Sequence, residues 1–313
     1  MKKLRTIKGT HDILPNQTKD WQELEMQVHK TSNLYGYSEI RTPIIETASL
    51  FNRGVGEETD IVSKEMYSWE DKDKSIISLR PELTAPVVRS YIQHNLSGQS
   101  PLQRLYYIGP SFRRERPQKG RQRQFHQFGA ELLGSEHPEA DIEIISLASS
   151  IFKSIGLDEI TLKINTIGSK SARDNYKIEL KRFLKPHFNK LSEASRERFE
   201  KNPLRILDTK NSQEQEILLN APQIFEYLSE DDKDHFSEVK MHLKGLNINF
   251  EIDPYLVRGL DYYSKTVFEI EPNDQSEKSQ SSVLSGGRYD NLVSFIGGPE
   301  TPAAGFGLSL IHI

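Results

Sequence analysis

Residues 18–35 place Trp21, Leu24, Val28 and Leu34 on one stripe of a helical net, with Gly36 as a stop. That spacing predicts an amphipathic helix. The period then shortens. YSEIRTPII (37–45) reads as a strand broken at Pro43, because proline cannot donate to a ladder. EMYSW and SIISLR flank a charged turn at 71–74 and predict a hairpin. Pro81 opens a predicted helix through ELTAPVVRSYIQHN. RLYYIGPSFR and RQFHQFGAELLG are two longer strand-like runs around a basic turn. A helix over 137–155 and the strand TLKINTIG follow.

From about 169 to 247 the texture becomes helical and charged, in KIELKRFLKPHF, QEQEILLNAPQIFEYL and DHFSEVKMHLKGL. Strand texture returns at INFEIDP, YYSKTVFEIEP and SSVLSGGRYDNL. The strands mostly arrive by hairpins, so the sheet should be largely antiparallel. The fold expected is α+β, an antiparallel sheet flanked by helices. Its core would comprise residues 1–168 and 251–313, interrupted by a helical insertion over 169–250. NDQSEKSQSS (273–282) reads as a solvated loop. The chain ends on TPAAGFGLSLIHI, an apolar run with no polar cap.

Composition narrows the chemistry. The 313 residues are 35% apolar and 27% charged, enough for a sizeable core. There is no cysteine, which excludes disulfides, thiolate zinc sites and cysteine nucleophiles. No apolar run reaches membrane-spanning length, and MKKLRTIKGTHDILP has no apolar stretch of a secretory signal, so a cytoplasmic protein with no membrane partner is expected. The net charge of -4 is not that of a general nucleic-acid binder; any polyanion site must be a local basic patch. There is no GxxxxGK[ST], GxGxxG or HExxH, and the nine histidines are scattered, so no metal site is expected.

Four stretches carry candidate chemistry. FRRERPQKGRQRQFHQFGAE (112–131) crowds Arg113, Arg114, Arg116, Lys119, Arg121 and Arg123 around a turn opposed by Glu115. Paired strands would put Arg113 and Glu115 on one face, and Gln127, Gly129 and Glu131 on one face of the return strand. Fixed cations at the mouth of such a hairpin suit a polyphosphate, although a solvated basic hairpin that resists edge pairing has the same composition. YLVRGLDYYSKTVFEI (255–270) offers Arg258, Tyr262 and Tyr263 for a polar pocket, or for core filling. SGGRYD (285–290) presents Arg288 and Tyr289 after two glycines; alone, it predicts a turn entering a helix. In LRPELTAP, Glu82 sits at a helix start, as a cap or as an anchor for a substrate ammonium.

Together and in this order, these stretches resemble the histidyl-tRNA synthetases, a class II aminoacyl-tRNA synthetase family. KGTHDILP is similar to the family's N-terminal signature, GYSEIRTPIIE to class motif 1 and FRRERPQKGRQRQFHQFGAE to motif 2. LVRGLDYYSKTVFE and GGRYD resemble its two histidine peptides, and EETDIVSKEMY and NPLRILDTKN also fit. The resemblance implies a class II synthetase-like antiparallel sheet with a helical insertion domain. It implies activation of L-histidine by ATP, a substrate accompanied by Mg2+, and transfer of the histidyl group to tRNA(His), with no tightly bound cofactor.

It further implies a histidine-binding set of Glu82, Leu83, Thr84, Arg113, Gln127, Glu131, Arg258, Tyr262, Tyr263 and Tyr289. Arg113, Glu115, Arg121 and Phe125 would hold ATP, with Phe125 stacking on adenine, and Arg258 and Arg113 would be catalytic. Arg116, Gln118 and Lys119 would face the tRNA acceptor end, and Pro43 would lie at the interface of a homodimer. Two departures stand out. The family's C-terminal anticodon-binding domain is not in the chain, and TPAAGFGLSL begins like motif 3 but reaches Ile311 and His312 where the family has Glu-Arg. The alternative is a paralogue that binds histidine or tRNA as a regulator, such as the regulatory subunit of ATP phosphoribosyltransferase.

Overall fold

A computed structural model describes residues 3–57, 59–118, 120–273 and 282–310. The chain begins with α1 (Pro15–Leu34), β1 (Ser38–Glu39), β2 (Ile45–Thr47), α2 (Ala48–Phe51), β3 (Tyr67–Glu70) and β4 (Ile76–Leu79). It continues through α3 (Thr84–Gln93), β5 (Gln103–Phe112), β6 (Gln124–Leu133), α4 (Pro138–Ser154) and β7 (Ile160–Thr166). Four helices follow in succession: α5 (Lys170–Leu184), α6 (Glu193–Lys201), α7 (Ser212–Leu218) and α8 (Glu230–Gly245). The chain then returns to strand with β8 (Glu251–Ile252), β9 (Ser264–Pro272), β10 (Leu284–Arg288), α9 (Leu292–Phe295) and β11 (Ala303–Ser309).

Eight strands form the main sheet in the order β1-β5-β6-β11-β10-β9-β7-β8. The inner pairings are antiparallel and the two edge pairings, β1–β5 and β7–β8, are parallel. The expected antiparallel sheet flanked by helices is therefore found. A second sheet, β2-β4-β3, contains the expected hairpin, closed by Asp71 N–H to Ser75 C=O with Lys74 at φ 67°.

Strand parity assigns the two faces of the main sheet. Tyr106, Phe128, Ala130, Leu132, Phe268, Ile270, Ala304, Phe306 and Leu308 join α1, α4 and α8 in one core. Residues of opposite parity, including Leu105, Tyr107, Leu133, Val267 and Ala303, join a second core with α3 and α9. The same core holds Tyr176, Leu180 and Leu184 of α5 and Leu218 of α7, so the helical stretch shares apolar packing with this face of the sheet.

Several details depart from expectation. Leu34 is 78% exposed, and Tyr35 packs instead, its hydroxyl 2.7 Å from Ser150 Oγ on α4. The α3 helix starts at Thr84 rather than Pro81, because the Glu82 carboxylate takes the first amides from outside the helix. The strand texture of SSVLSGGRYDNL is found, and the turn expected of SGGRYD begins only at its end: Gly286, Gly287 and Arg288 lie inside the sheet, paired on both sides, and Asp290 turns into α9. Arg288 is fully buried and held by Asp141 of α4, by Asp290 and by the carbonyls of Ser135 and His137. Most of the predicted loop at 273–282 lies outside the described residues.

Candidate active site

The face of the sheet opposite α4 carries a cavity of about 250 Å3. Its walls are the start of α3, the β5–β6 hairpin, the 258–263 loop and the cavity-side residues of β10 and β11. Among the predicted residues, Glu82, Leu83, Thr84, Arg113, Glu115, Arg121, Phe125, Gln127, Arg258, Tyr262 and Tyr263 all line it.

At one end, Glu82 accepts hydrogen bonds from the amides of Thr84 (2.7 Å) and Ala85 (2.9 Å). The two readings of Glu82 are thus compatible: it caps α3 and still borders the cavity. Burial raises its pKa, against the lowering effect of those amides. Glu131 lies one layer deeper, fully buried and not among the cavity-lining residues. It accepts from Thr84 Oγ1 (2.8 Å), Tyr107 (3.0 Å) and Tyr289. Tyr289 is likewise behind the wall and meets Tyr262 edge-on with ring centroids 5.6 Å apart. Tyr262 and Tyr263 are buried neighbours at 4.7 Å, and burial raises the pKa of both, keeping their hydroxyls protonated at neutral pH. This end thus offers the Glu82 carboxylate beside neutral tyrosine hydroxyls.

Glycines make room for it. Gly129 faces Tyr107 across β5–β6, and a Cβ there would fall on the Tyr107 hydroxyl. A Cβ on Gly305 would fall on the Glu131 carboxylate. The closeness of these side chains to bare backbone lets four polar groups converge under the α3 terminus.

The other end is cationic. Arg113 donates from Nε to Pro81 C=O (2.9 Å), and its guanidinium lies 5.2 Å from the Phe125 ring centroid. Glu115 is 3.4 Å from Arg121 and 3.9 Å from Arg113. Arg258 is paired with Glu269 of β9 and lies 5.8 Å from the Tyr263 ring centroid. A carboxylate-lined end and an arginine-lined end share one cleft, an arrangement suited to a zwitterion joined to a polyphosphate.

Arg116 and Gln118 are exposed on the hairpin turn and do not line the cavity. Pro43 is exposed before β2, beside exposed Ile44 and Ile45. Lys119, Ile311 and His312 lie outside the described residues. The sequence reading missed Tyr107, Ser285, Gly307 and Ser309, all of which border the cavity. Parity would have found Tyr107: it shares a face with Ser111 and stands opposite Gly129.

Comparison with known proteins agrees with this layout. The family profile described as histidyl-tRNA synthetase matches residues 9–313. A histidine–tRNA ligase of Protochlamydia amoebophila is 49% identical over 312 residues, covering 97% of this chain and 73% of that protein. One of Chloroherpeton thalassium is 49% identical over 303 residues, covering 96% and 70%. Apo histidyl-tRNA synthetase of S. aureus superposes with a TM-score of 0.79 at 35% identity, covering 99% of this chain and 72% of that one. A Bacillus halodurans protein described as an ATP phosphoribosyltransferase regulatory subunit/histidyl-tRNA synthetase gives 0.71 at 25% identity, covering 99% and 83%.

Proposed function

The chain belongs to the histidyl-tRNA synthetase family, and on that premise we propose that it activates L-histidine with ATP and passes the histidyl group to tRNA(His). In the first step the substrate carboxylate attacks the α-phosphate of ATP, forming histidyl-adenylate and releasing pyrophosphate. In the second, the terminal ribose hydroxyl of the tRNA takes the acyl group and AMP leaves. The observation that carries this reading is the joining, in one cleft, of the Glu82 end with the Arg113–Arg121 end.

Glu82 receives the α-ammonium, backed by Glu131 through the shared Thr84. Tyr262 and Tyr263, braced by Tyr289, surround the imidazole. An amino acid without matching polar atoms leaves these buried groups unpaired, which is a strong basis for discrimination. Arg113 and Arg258 stabilise charge on the α-phosphate and on the attacking carboxylate, an electrostatic role served by fixed cations in a partly dry site. Glu115, Arg121 and Phe125 hold ATP, which enters with Mg2+, and adenine stacks on the side of Phe125 away from Arg113. Arg116, Gln118 and Lys119 meet the acceptor end of the tRNA, so binding weakens with salt. Pro43 lies at the interface of a cytoplasmic homodimer. Residues 169–250 form an inserted helical domain.

Histidine-dependent exchange of pyrophosphate into ATP tests the reading. Exchange above a histidine-free control supports it. Histidine binding without exchange, together with co-purification with a phosphoribosyltransferase, would instead support the regulatory reading suggested by the likeness to the Bacillus halodurans protein.

A further inference from the structure

We propose that Glu269 is a positioning residue whose carboxylate sets where the Arg258 guanidinium stands in the cleft. The inference rests on the reading above, in which Arg258 meets the α-phosphate, and adds the group that aims it.

Arg258 belongs to the loop between β8 and β9 and reaches the cleft on a long side chain with many rotamers. Glu269 is in the middle of β9, opposite Ser285 of β10 on one side and Lys163 of β7 on the other. A strand paired on both sides is a firmer support than a loop. The two side chains meet through Arg258 Nη1 and Glu269 Oε1, with side-chain exposures of only 14% and 18%. The Tyr263 ring, 5.8 Å away, confines the guanidinium further.

Two features argue that the pair is more than a stabilising ion pair. Arg258 Nε is buried without a hydrogen-bond partner, so the pairing with Glu269 leaves donor capacity uncommitted. The nearby lysines do not compete for Glu269: Lys163 is 2.7 Å from Glu271, and Lys210 is 3.1 Å from Asp208. Among the described residues Glu269 is thus ion-paired with a single cation, and that cation lines the cleft. A guanidinium fixed before the phosphate arrives needs no reorientation as charge develops.

Glu269→Gln keeps the size and one acceptor but removes the charge. In the full chain, the turnover of histidine-dependent exchange should fall about 100-fold, the scale expected for a misplaced reacting group. Histidine affinity, to which Arg258 adds only one of several contacts beside Glu82, Arg113 and the tyrosines, should change less than about threefold, and Glu269→Asp should recover part of the turnover. In an Arg258→Ala background, Glu269→Gln should cost less than about twofold, since there is no guanidinium left to aim. Turnover within about twofold of the unaltered chain, or the same loss in both backgrounds, overturns the proposal. If Glu269→Gln does not fold, Glu269→Asp measured in both backgrounds decides in the same way. Exchange absent from the unaltered chain would sink the functional reading and this inference together; exchange present with either overturning result sinks the inference alone.

Discussion

Glu131 sets burial against hydrogen bonding within a single side chain. Burial raises its pKa from the ordinary 4.5 to about 8, even though three hydroxyls from Thr84, Tyr107 and Tyr289 favour the anion. A raised carboxylate pKa means that the folded state holds the proton more tightly than the unfolded chain. Stability from this group is complete below about pH 4.5, falls as pH rises, and levels off above about pH 8. Glu131→Gln removes that slope while keeping a neutral amide in place. Urea midpoints at pH 5, 6.5 and 8 should therefore decline more steeply in the unaltered chain than in the variant; parallel declines would rule the idea out. Glu82 gives a second test at this scale. As a cap alone, Glu82→Ala should cost about 1 kcal/mol of stability and leave the affinity of the folded protein intact. As the ammonium receptor, it should weaken histidine binding about tenfold or more in protein that is still folded, read by calorimetry at a temperature well below the melting point.

At the scale of elements, the hairpin β5–β6 and the glycines beneath it set the shape of the cleft. Gly129→Ala puts a methyl group on the Tyr107 hydroxyl and displaces the donor to Glu131. Overpacking of this kind costs about 1–3 kcal/mol, and histidine affinity should fall with stability; calorimetry of binding and of melting checks both. Unchanged binding would show that the Tyr107–Glu131 contact is dispensable. The hairpin was legible in the sequence because two long alternating runs and a basic turn are local signals. So were Glu82 at a helix start and the paired tyrosines. SSVLSGGRYDNL had strand texture as a whole, but how far the strand runs into SGGRYD was not legible, because two adjacent glycines look locally like a turn. Their reason is distant in sequence: a Cβ on Gly286 would meet the Phe268 ring at 2.6 Å, and one on Gly287 would meet the Thr266 carbonyl at 2.6 Å. Arg288 follows the same logic. Its partner Asp141 lies on α4, across the sheet, and nothing near Arg288 in the chain announces it. The face a residue occupies was readable from parity, whereas the partner it meets depends on strand order, which parity does not contain.

Across the whole molecule, the helical stretch from α5 to α8 is fastened to the site by polar contacts as well as by the shared apolar core. Arg205 reaches Asp60 at 3.1 Å, joining NPLRILDTKN to EETDIVSKEMY, two stretches that the sequence reading set side by side without a reason. Asn202 donates to Asp261 at 2.9 Å, and Arg173 of α5 donates to the carbonyl of Tyr263. The last contact is the most consequential, because it grips the backbone between a pocket tyrosine and β9. Arg173 does not line the cavity, so its removal takes away no direct ligand contact. Releasing Tyr263 should nevertheless loosen the end proposed to take the imidazole, where a small displacement leaves polar groups unpaired. Arg173→Met keeps much of the apolar stem and deletes the donor. It should raise the KM for histidine about tenfold while leaving the KM for ATP within about twofold, since the Arg113–Arg121 end is held by the hairpin instead. Arg205→Met, which cuts a link to the 57–65 segment rather than to Tyr263, should spare the KM for histidine. Steady-state exchange measured on both variants decides: equal effects on the two substrates, or equal effects of the two variants, would mean that the helices support the fold as a whole and not the amino-acid pocket in particular.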